Sequence, residues 1–316
     1  MGTGELAVTL ALVEHLCAAM STPTAHRMTR VLKSVAGDVT RLEAQQHQHE
    51  PARTGTNDRD DLVWTQQGLM EVQRNQQQRI VHWRETLDRL YTDGVRVAVA
   101  GSSSYPTNLG LVPNGPPVLF VRGTLTPEDD RAIAVVGTRT ASVEGKAKAS
   151  TITRRLSLNN VTVVSGLAEG IDTAAHRAAL DSGGRTIAVF GTGIDRVFPH
   201  TNRSLAAAVA ANGACVSQWW PQQPGARWSF PLRNIVTSGL SLGTVVVEAG
   251  ATSGARIQAM EARRHGRRLF LLDHLVTSQT WARELVGQSG VHVVRNVEQI
   301  MELVREDLDS DSFSLT

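Results

Sequence analysis

Four short glycine-bearing segments hold much of the chemistry this sequence can offer. Gly137, Thr138 and Arg139 form the first. Ser165 with Gly166 form the second, and Gly191, Thr192 and Gly193 the third. The fourth runs from Glu248 to Gly254. Glycine lets backbone approach a ligand closely and present its N–H with no side chain in the way. Small hydroxyl residues beside the glycines, Thr138, Ser165, Thr192 and Ser253, add further donors. A row of neutral donors suits phosphate oxygens. One such turn means little, because every α/β protein needs them. Four together predict a phosphate-binding edge made of Gly137, Thr138, Ser165, Gly166, Gly191, Gly193, Ser253 and Gly254. Arg139 directly follows the first turn, where its guanidinium can reach an anion held there.

A second cluster spans Trp219 to Asn234. It holds Trp219, Trp220, Trp228 and Phe230 among Arg227 and Arg233. Aromatic faces interleaved with cations suit single-stranded nucleic acid, where bases stack and arginines hold the backbone. A loop folded over its own aromatics stays open as the alternative. Asp172 and His176 are four apart on one helical face, but a metal pair needs a third ligand and the helix offers none. A structural role is favoured, with Asp172 near the helix N-terminus and His176 bonded to a neighbouring loop. Glu248 could be a general base, a ribose or base acceptor, or an acceptor for nearby backbone.

The turns need strands and helices to hold them. Strands are expected at 95–100, 118–122, 132–136, 161–165, 186–190, 215–218, 244–248, 268–272 and 291–294. From residue 132 onward, helices are expected between them at about 144–158, 170–182, 202–212, 232–240, 254–265, 279–288 and 296–305. The run from Val161 to Val164 is β-branched throughout or nearly so, as in a strand buried on both faces. Strict alternation of strand and helix predicts an extended Rossmann-like parallel sheet with helices on both faces. Right-handed crossovers would then place every strand's carboxyl end, and so all four turns, on one edge.

Residues 1–94 read as a smaller, separate all-helical domain. Leu6, Leu10, Val13, Leu16 and Met20 mark one apolar stripe. Further helices are expected at 25–42 and 62–91, the latter with a solvated face. Between them, 45–60 is polar and aperiodic and reads as a loop. The α/β domain is placed at 95–306, and 307–316 reads as a disordered acidic tail.

Composition bounds the partners. Formal net charge is +2 over 316 residues, which announces no polyanion. Between Pro127 and Glu306, however, 20 Lys/Arg stand against 15 Asp/Glu, and 18 of the 20 are Arg. Arginine suits bidentate phosphate recognition, although a GC-rich genome gives the same bias. Two cysteines give no disulfide framework and no metal site, which fits a reducing cytoplasm. The run from Leu6 to Met20 carries Glu14 and His15, so an amphipathic helix is expected rather than a signal peptide or membrane span.

Several segments together resemble the DNA-processing protein A (DprA/Smf) family. They are Ile133–Arg139, Val163–His176, Thr186–Asp195, Phe198–Arg203, Phe230–Asn234, Gly239–Gly243, Val247–Gly250 and Ser253–Gly254. Tyr105-Pro106 and Pro116-Pro117 also fit. The match runs from about residue 82 to 272, in order. The resemblance implies a homodimer that binds single-stranded DNA at the glycine edge and delivers it to a RecA-type recombinase during transformation. It implies no catalytic activity, and no cofactor, metal or membrane partner is expected. Gly137, Thr138 and Arg139 with Ser165 and Gly166 would hold phosphates. Arg227, Phe230 and Arg233 would be the cation, stacking aromatic and second cation, with Asn234 beside them.

The sequence also departs from the family. No helix-hairpin-helix glycine pattern occurs in 1–94. The usual Pro-Gly turn after Leu272 is replaced by Asp273–Ser278, and a winged-helix domain has no room after it. A different reading is a small-nucleotide binder or sensor related to phosphoribohydrolases, with 1–94 as an effector in a defence system. Against the hydrolase, three residues separate Thr244 from Glu248 where its signature has two. On a strand that extra residue turns the carboxylate to the other face.

Overall fold

The computed structural model describes residues 1–17, 23–42, 56–75 and 77–311. Residues 45–55 of the expected polar loop lie outside the described residues, as do Met20 of the apolar stripe and the last five residues of the expected tail, while 56–60 of that loop are helical. The chain divides into two compact units. The first comprises Met1–Tyr105 and Pro113–Phe120, and the second Pro106–Val112 and Val121–Thr316.

The first unit contains α1 (Thr3–Leu16), α2 (Pro23–Ser34), α3 (Thr56–Asn75), α4 (Gln77–Thr92) and β1 (Val95–Val99). It also contains the first half of β2 (Val118–Gly123). The stripe expected in α1 does face inward, since Leu6, Leu10 and Val13 are buried. So are Met28 and Leu32 of α2, Leu69 and Val72 of α3, and Trp83, Leu87 and Leu90 of α4. Periodic burial of this kind supplies most of the stability of short helices. Glu14 of α1 accepts from Trp83 Nε1 at 3.0 Å and pairs with Arg79 at 2.8 Å. The charge that argued against a membrane span thus has partners within the helical unit.

The second unit is the α/β module. Its elements are α5 (Thr107–Gly110), the end of β2, β3 (Ala132–Val136), α6 (Val143–Ser157), β4 (Thr162–Ser165), α7 (Ile171–Asp181) and β5 (Thr186–Val189). Then come α8 (Arg203–Asn212), β6 (Ala214–Ser217), α9 (Ser229–Leu232), α10 (Asn234–Gly239), β7 (Gly243–Val246) and α11 (Gly254–Arg264). It closes with β8 (Arg268–Leu272), α12 (Asp273–Ser278), α13 (Thr280–Arg283), β9 (Val291–Val294) and α14 (Val297–Asp311). Strand order in this unit is β6-β5-β4-β3-β7-β8-β9 from β6 onward. Every pairing from β6 through β9 is parallel, for example Ile133 with Val163 on one side and with Gly243 on the other. The expected doubly wound sheet is therefore present.

Ile133, Val135, Val163, Val245 and Phe270 bury one face of this sheet against α6, α7 and α14, through Ile152, Leu156, Ile171, Ala175 and Ile300. Strands with no polar residue in their centres need cover on both faces, and the βα crossovers supply it. The chain winds from β3 through β4 and β5 to β6, then returns to place β7 on the other side of β3. The reversal point of such a sheet lies between β3 and β7, and ligands enter beyond the carboxyl ends there.

Two expectations are revised. The single helix expected at 232–240 forms as two short helices, α9 and α10, and the first begins at Ser229. The final helix continues to Asp311, so 307–311 are helical where disorder was expected.

Candidate functional site

A cleft of about 680 Å³ opens beyond the carboxyl ends of β3, β4 and β7. Ten of the thirteen residues expected at the site line it: Gly137, Thr138, Arg139, Gly166, Arg227, Phe230, Arg233, Asn234, Ser253 and Gly254. They come from four chain segments spread between Gly137 and Gly254. What joins the first two is Gly170, at φ 79°. A side chain there would collide with the carbonyls of Thr138 and Arg139. With glycine present, Ile171 N–H donates to Thr138 O at 3.3 Å and pins the N-terminus of α7 against the β3 turn.

Arg139 is exposed and its guanidinium carbon lies 5.5 Å from the centre of the Phe230 ring. That is cation–π range. Phe198, 49% exposed, packs on the same ring at 5.3 Å between centres. Arg227 is exposed at the same cleft. Cation and open aromatic edge thus stand together at the mouth. Phe198 was not assigned a role from sequence. Its type and its place in a quoted segment were the available signals, and only the fold brings it to Phe230.

Arg233 is placed differently from expectation. Its side chain is 13% exposed. Nη1 donates to Val189 O at 2.8 Å, Nε donates to Asn234 Oδ1 at 3.2 Å, and Nη2 lies 3.7 Å from Asp172 Oδ2. Gly166 makes room for it, because any Cβ there would collide with the guanidinium. Arg233 is therefore a cation under the cleft wall rather than a free arm. Burial raises the Asp172 carboxyl above its usual value, while Arg233 and the amides of Ala168 and Gly166 pull it back. Burial pulls Arg233 down from its ordinary value, Asp172 opposes this, and Arg139 adds to it.

Asp172 has the structural role expected near the helix N-terminus, accepting from Ala168 N–H at 3.2 Å. His176 is bonded to a strand, not a loop: its Nδ1 is 2.7 Å from Thr186 Oγ1. That hydroxyl already donates to Val163 O at 2.8 Å, so Nδ1 carries the ring proton. Burial, with Arg233 nearby, pushes the His176 pKa down to about 3.

Three expected residues lie off the cleft lining. The Ser165 hydroxyl is fully buried and donates to Val135 O at 2.7 Å, which ties β4 to β3. Gly193 N–H donates to Gln223 O at 2.9 Å. Gly191 O accepts from Ser229 Oγ at 2.6 Å, and the residue leaves space for the Phe230 ring. The third turn therefore shapes the aromatic wall without entering the cleft. Nor is the edge an open row of amide donors. Thr138 N–H is taken by Glu248 O at 2.7 Å, and the Ser253 hydroxyl caps α11 by accepting from Ala255 N–H at 3.2 Å.

The indole-rich segment also divides. Trp219 is fully buried and meets Trp228 edge-on at 5.3 Å, while Trp228 is 49% exposed. The folded-back alternative thus holds for Trp219. Glu248 lies just past the end of β7, and its backbone carbonyl still pairs with Thr138 N–H. Its Oε2 accepts from Ser142 N–H at 3.1 Å and Ser142 Oγ at 2.9 Å, next to the start of α6. Among the described residues, no helix is long and apolar enough to cross a membrane.

Comparison with known proteins places this architecture. The family model for DNA recombination-mediator protein A matches residues 96–305. The DNA processing protein DprA of Streptococcus pneumoniae is 38% identical over 168 residues, covering 53% of this chain and 59% of that protein. The chain thus spans less than two thirds of that relative's length. An X-ray structure of DNA processing protein A from the same species superposes with a TM-score of 0.67 at 25% identity, over 96% of this chain and 98% of that one. A Helicobacter pylori DNA processing protein A structure shares the fold, with a TM-score of 0.59 at 24% identity over 67% of this chain and 96% of that one.

Proposed function

The chain belongs to the DNA recombination-mediator protein A family, and from that premise we propose that its cleft holds single-stranded DNA. One observation carries the reading. The exposed Arg139 guanidinium stands over the half-open Phe230 ring at the mouth of a cleft beyond β3, β4 and β7. A cation beside a stacking face is what a flexible polyanion with planar bases requires. The structure of the Helicobacter pylori relative is described as showing a single-stranded DNA binding mode, which supports the reading. In this account Arg139 and Arg227 hold phosphates, Phe230 and Phe198 stack bases, and the N-terminus of α11 at Ser253 and Gly254 adds a favourable field. Arg233 and Asn234 hold the wall in place.

The function is binding rather than catalysis. Asp172, the carboxylate lining the cleft, is already tied to Arg233 and to the Ala168 amide. Delivery of the strand to a RecA-type recombinase, by a homodimer, completes the proposal. The small-nucleotide reading loses support, because Thr138 N–H and Gly193 N–H have protein acceptors and cradle no phosphate.

The test is fluorescence anisotropy with labelled oligo(dT) across a salt series. Two exposed arginines, each displacing a counterion at about 0.7 per phosphate, give a log–log slope near −1.4. That is about a sevenfold loss of affinity for a fourfold rise in salt. An affinity that ignores salt refutes phosphate contact. For the delivery step, added protein should speed recombinase filament formation on strands coated with a single-strand binding protein. No acceleration refutes the mediator role and leaves binding intact.

A further inference from the structure

Gln258 sits on α11, four residues after Gly254, and lines the cleft beside Thr237, Ser253 and Ile257. It is 2% exposed. Neither its Oε1 nor its Nε2 has a hydrogen-bond partner among the described residues. A buried carboxamide with an empty acceptor and empty donors is unfavourable, and folded proteins keep few of them. Three polar residues of the same lining make their hydrogen bonds elsewhere. Asn234 Oδ1 accepts from Arg233, Thr237 Oγ1 donates to Arg233 O at 3.4 Å, and Ser253 Oγ accepts from Ala255 N–H. Val136, Ala255 and Ile257 add apolar surface to the cleft lining.

This set of groups selects a ligand class. A phosphate offers only acceptors and would leave Oε1 empty. An aliphatic chain would satisfy neither end of the amide. A nucleobase edge carries an acceptor beside a donor, the complement of a primary carboxamide. We propose that Gln258 is a base-contacting residue, forming paired hydrogen bonds with the edge of one nucleobase of the bound strand, deep in the cleft that Phe230 guards. The inference rests on the single-stranded DNA reading above. Glutamine is unbranched and flexible, so a rotamer change at the cleft wall brings the amide to the base. Every base presents such a donor–acceptor pair, so the contact secures a base without choosing among sequences.

Gln258→Met keeps length and burial while removing both hydrogen-bonding ends. The full-length variant and the unaltered protein are titrated with labelled oligo(dT) and with an abasic oligomer of equal length. The inference expects the variant to bind oligo(dT) about 5-fold or more weakly. Its affinity for the abasic oligomer should not change, and its melting temperature should be equal or higher. Unchanged oligo(dT) affinity overturns the inference and shows an amide satisfied by water alone. Equal losses for both oligomers also overturn it, because they show that Gln258 only shapes the wall. If the unaltered protein binds neither oligomer, the single-stranded DNA reading itself fails, and this inference fails with it.

Discussion

Replacing Arg233 by alanine separates a structural cation from a DNA-contacting one. Three interactions disappear together: the donation to Val189 O at 2.8 Å, the donation to Asn234 Oδ1 at 3.2 Å, and the attraction to Asp172 at 3.7 Å. At an effective dielectric near 20, that attraction alone is about 4 kcal/mol. Breaking a buried pair by removing one partner costs about 3–5 kcal/mol, because the other charge stays behind unpaired. For a domain of this size that lowers the melting temperature by roughly 10 °C. The loss should depend on pH. Burial already raises Asp172, and without Arg233 its folded pKa rises further. A carboxyl with a raised folded pKa binds its proton more tightly in the native state, so ionising it removes stability as pH climbs. The deficit of Arg233→Ala relative to the unaltered protein should therefore be larger at pH 7 than at pH 5. Adding Asp172→Asn should recover a substantial part of it. Thermal and urea unfolding of the three proteins at both pH values is the assay. A melting temperature within a degree of the unaltered protein, with weaker oligo(dT) binding, would refute this reasoning and return Arg233 to the role of a free phosphate-binding arm.

Arg139→Ala should behave in the opposite way, because its side chain is exposed. Its melting temperature should not change, while oligo(dT) affinity drops several-fold and the salt slope becomes shallower by about 0.7. Phe230→Ala should weaken binding by about 1–3 kcal/mol through lost stacking; an anisotropy curve that overlays the unaltered protein would deny Phe230 that role. His176, with its pKa held down to about 3, is neutral in the fold at physiological pH. Its contribution is present above the ordinary histidine value and is lost as pH falls from about 6.5 toward 3. His176→Gln should flatten the dependence of unfolding free energy on pH across that window, and an unchanged profile would show that other groups govern it.

Much of the architecture was legible in residue order. The β-branched run at Val161–Val164 and the apolar run at Ala132–Val136 could be buried only as inner strands, and they are neighbours in the parallel sheet. The helical stripe of Leu6, Leu10 and Val13 likewise faced inward. The turns at Gly137 and Gly166 reach one cleft, as alternation and handedness required. What failed was the inference from residue type to availability. Ser165, Gly193 and Trp219 have suitable chemistry, but Val135 O, Gln223 O and the surrounding core hold them. What the Glu248 carboxylate binds was equally illegible, because its partner Ser142 lies far away in the chain.

The sequence by itself determined the order of strands and helices and the edge on which the turns gather. Those properties follow from periodicity, glycine placement and the fixed hand of the backbone, which act over a few residues or one crossover. The tertiary structure alone decided which donors remain open. It placed Arg233 beneath the wall beside Asp172, set Phe198 on Phe230 and left the Gln258 amide without a partner among the described residues. Each of those outcomes depends on segments distant in the chain meeting at one point. A hydrogen-bonding group is committed or free according to its neighbours in space, and no local pattern specifies them.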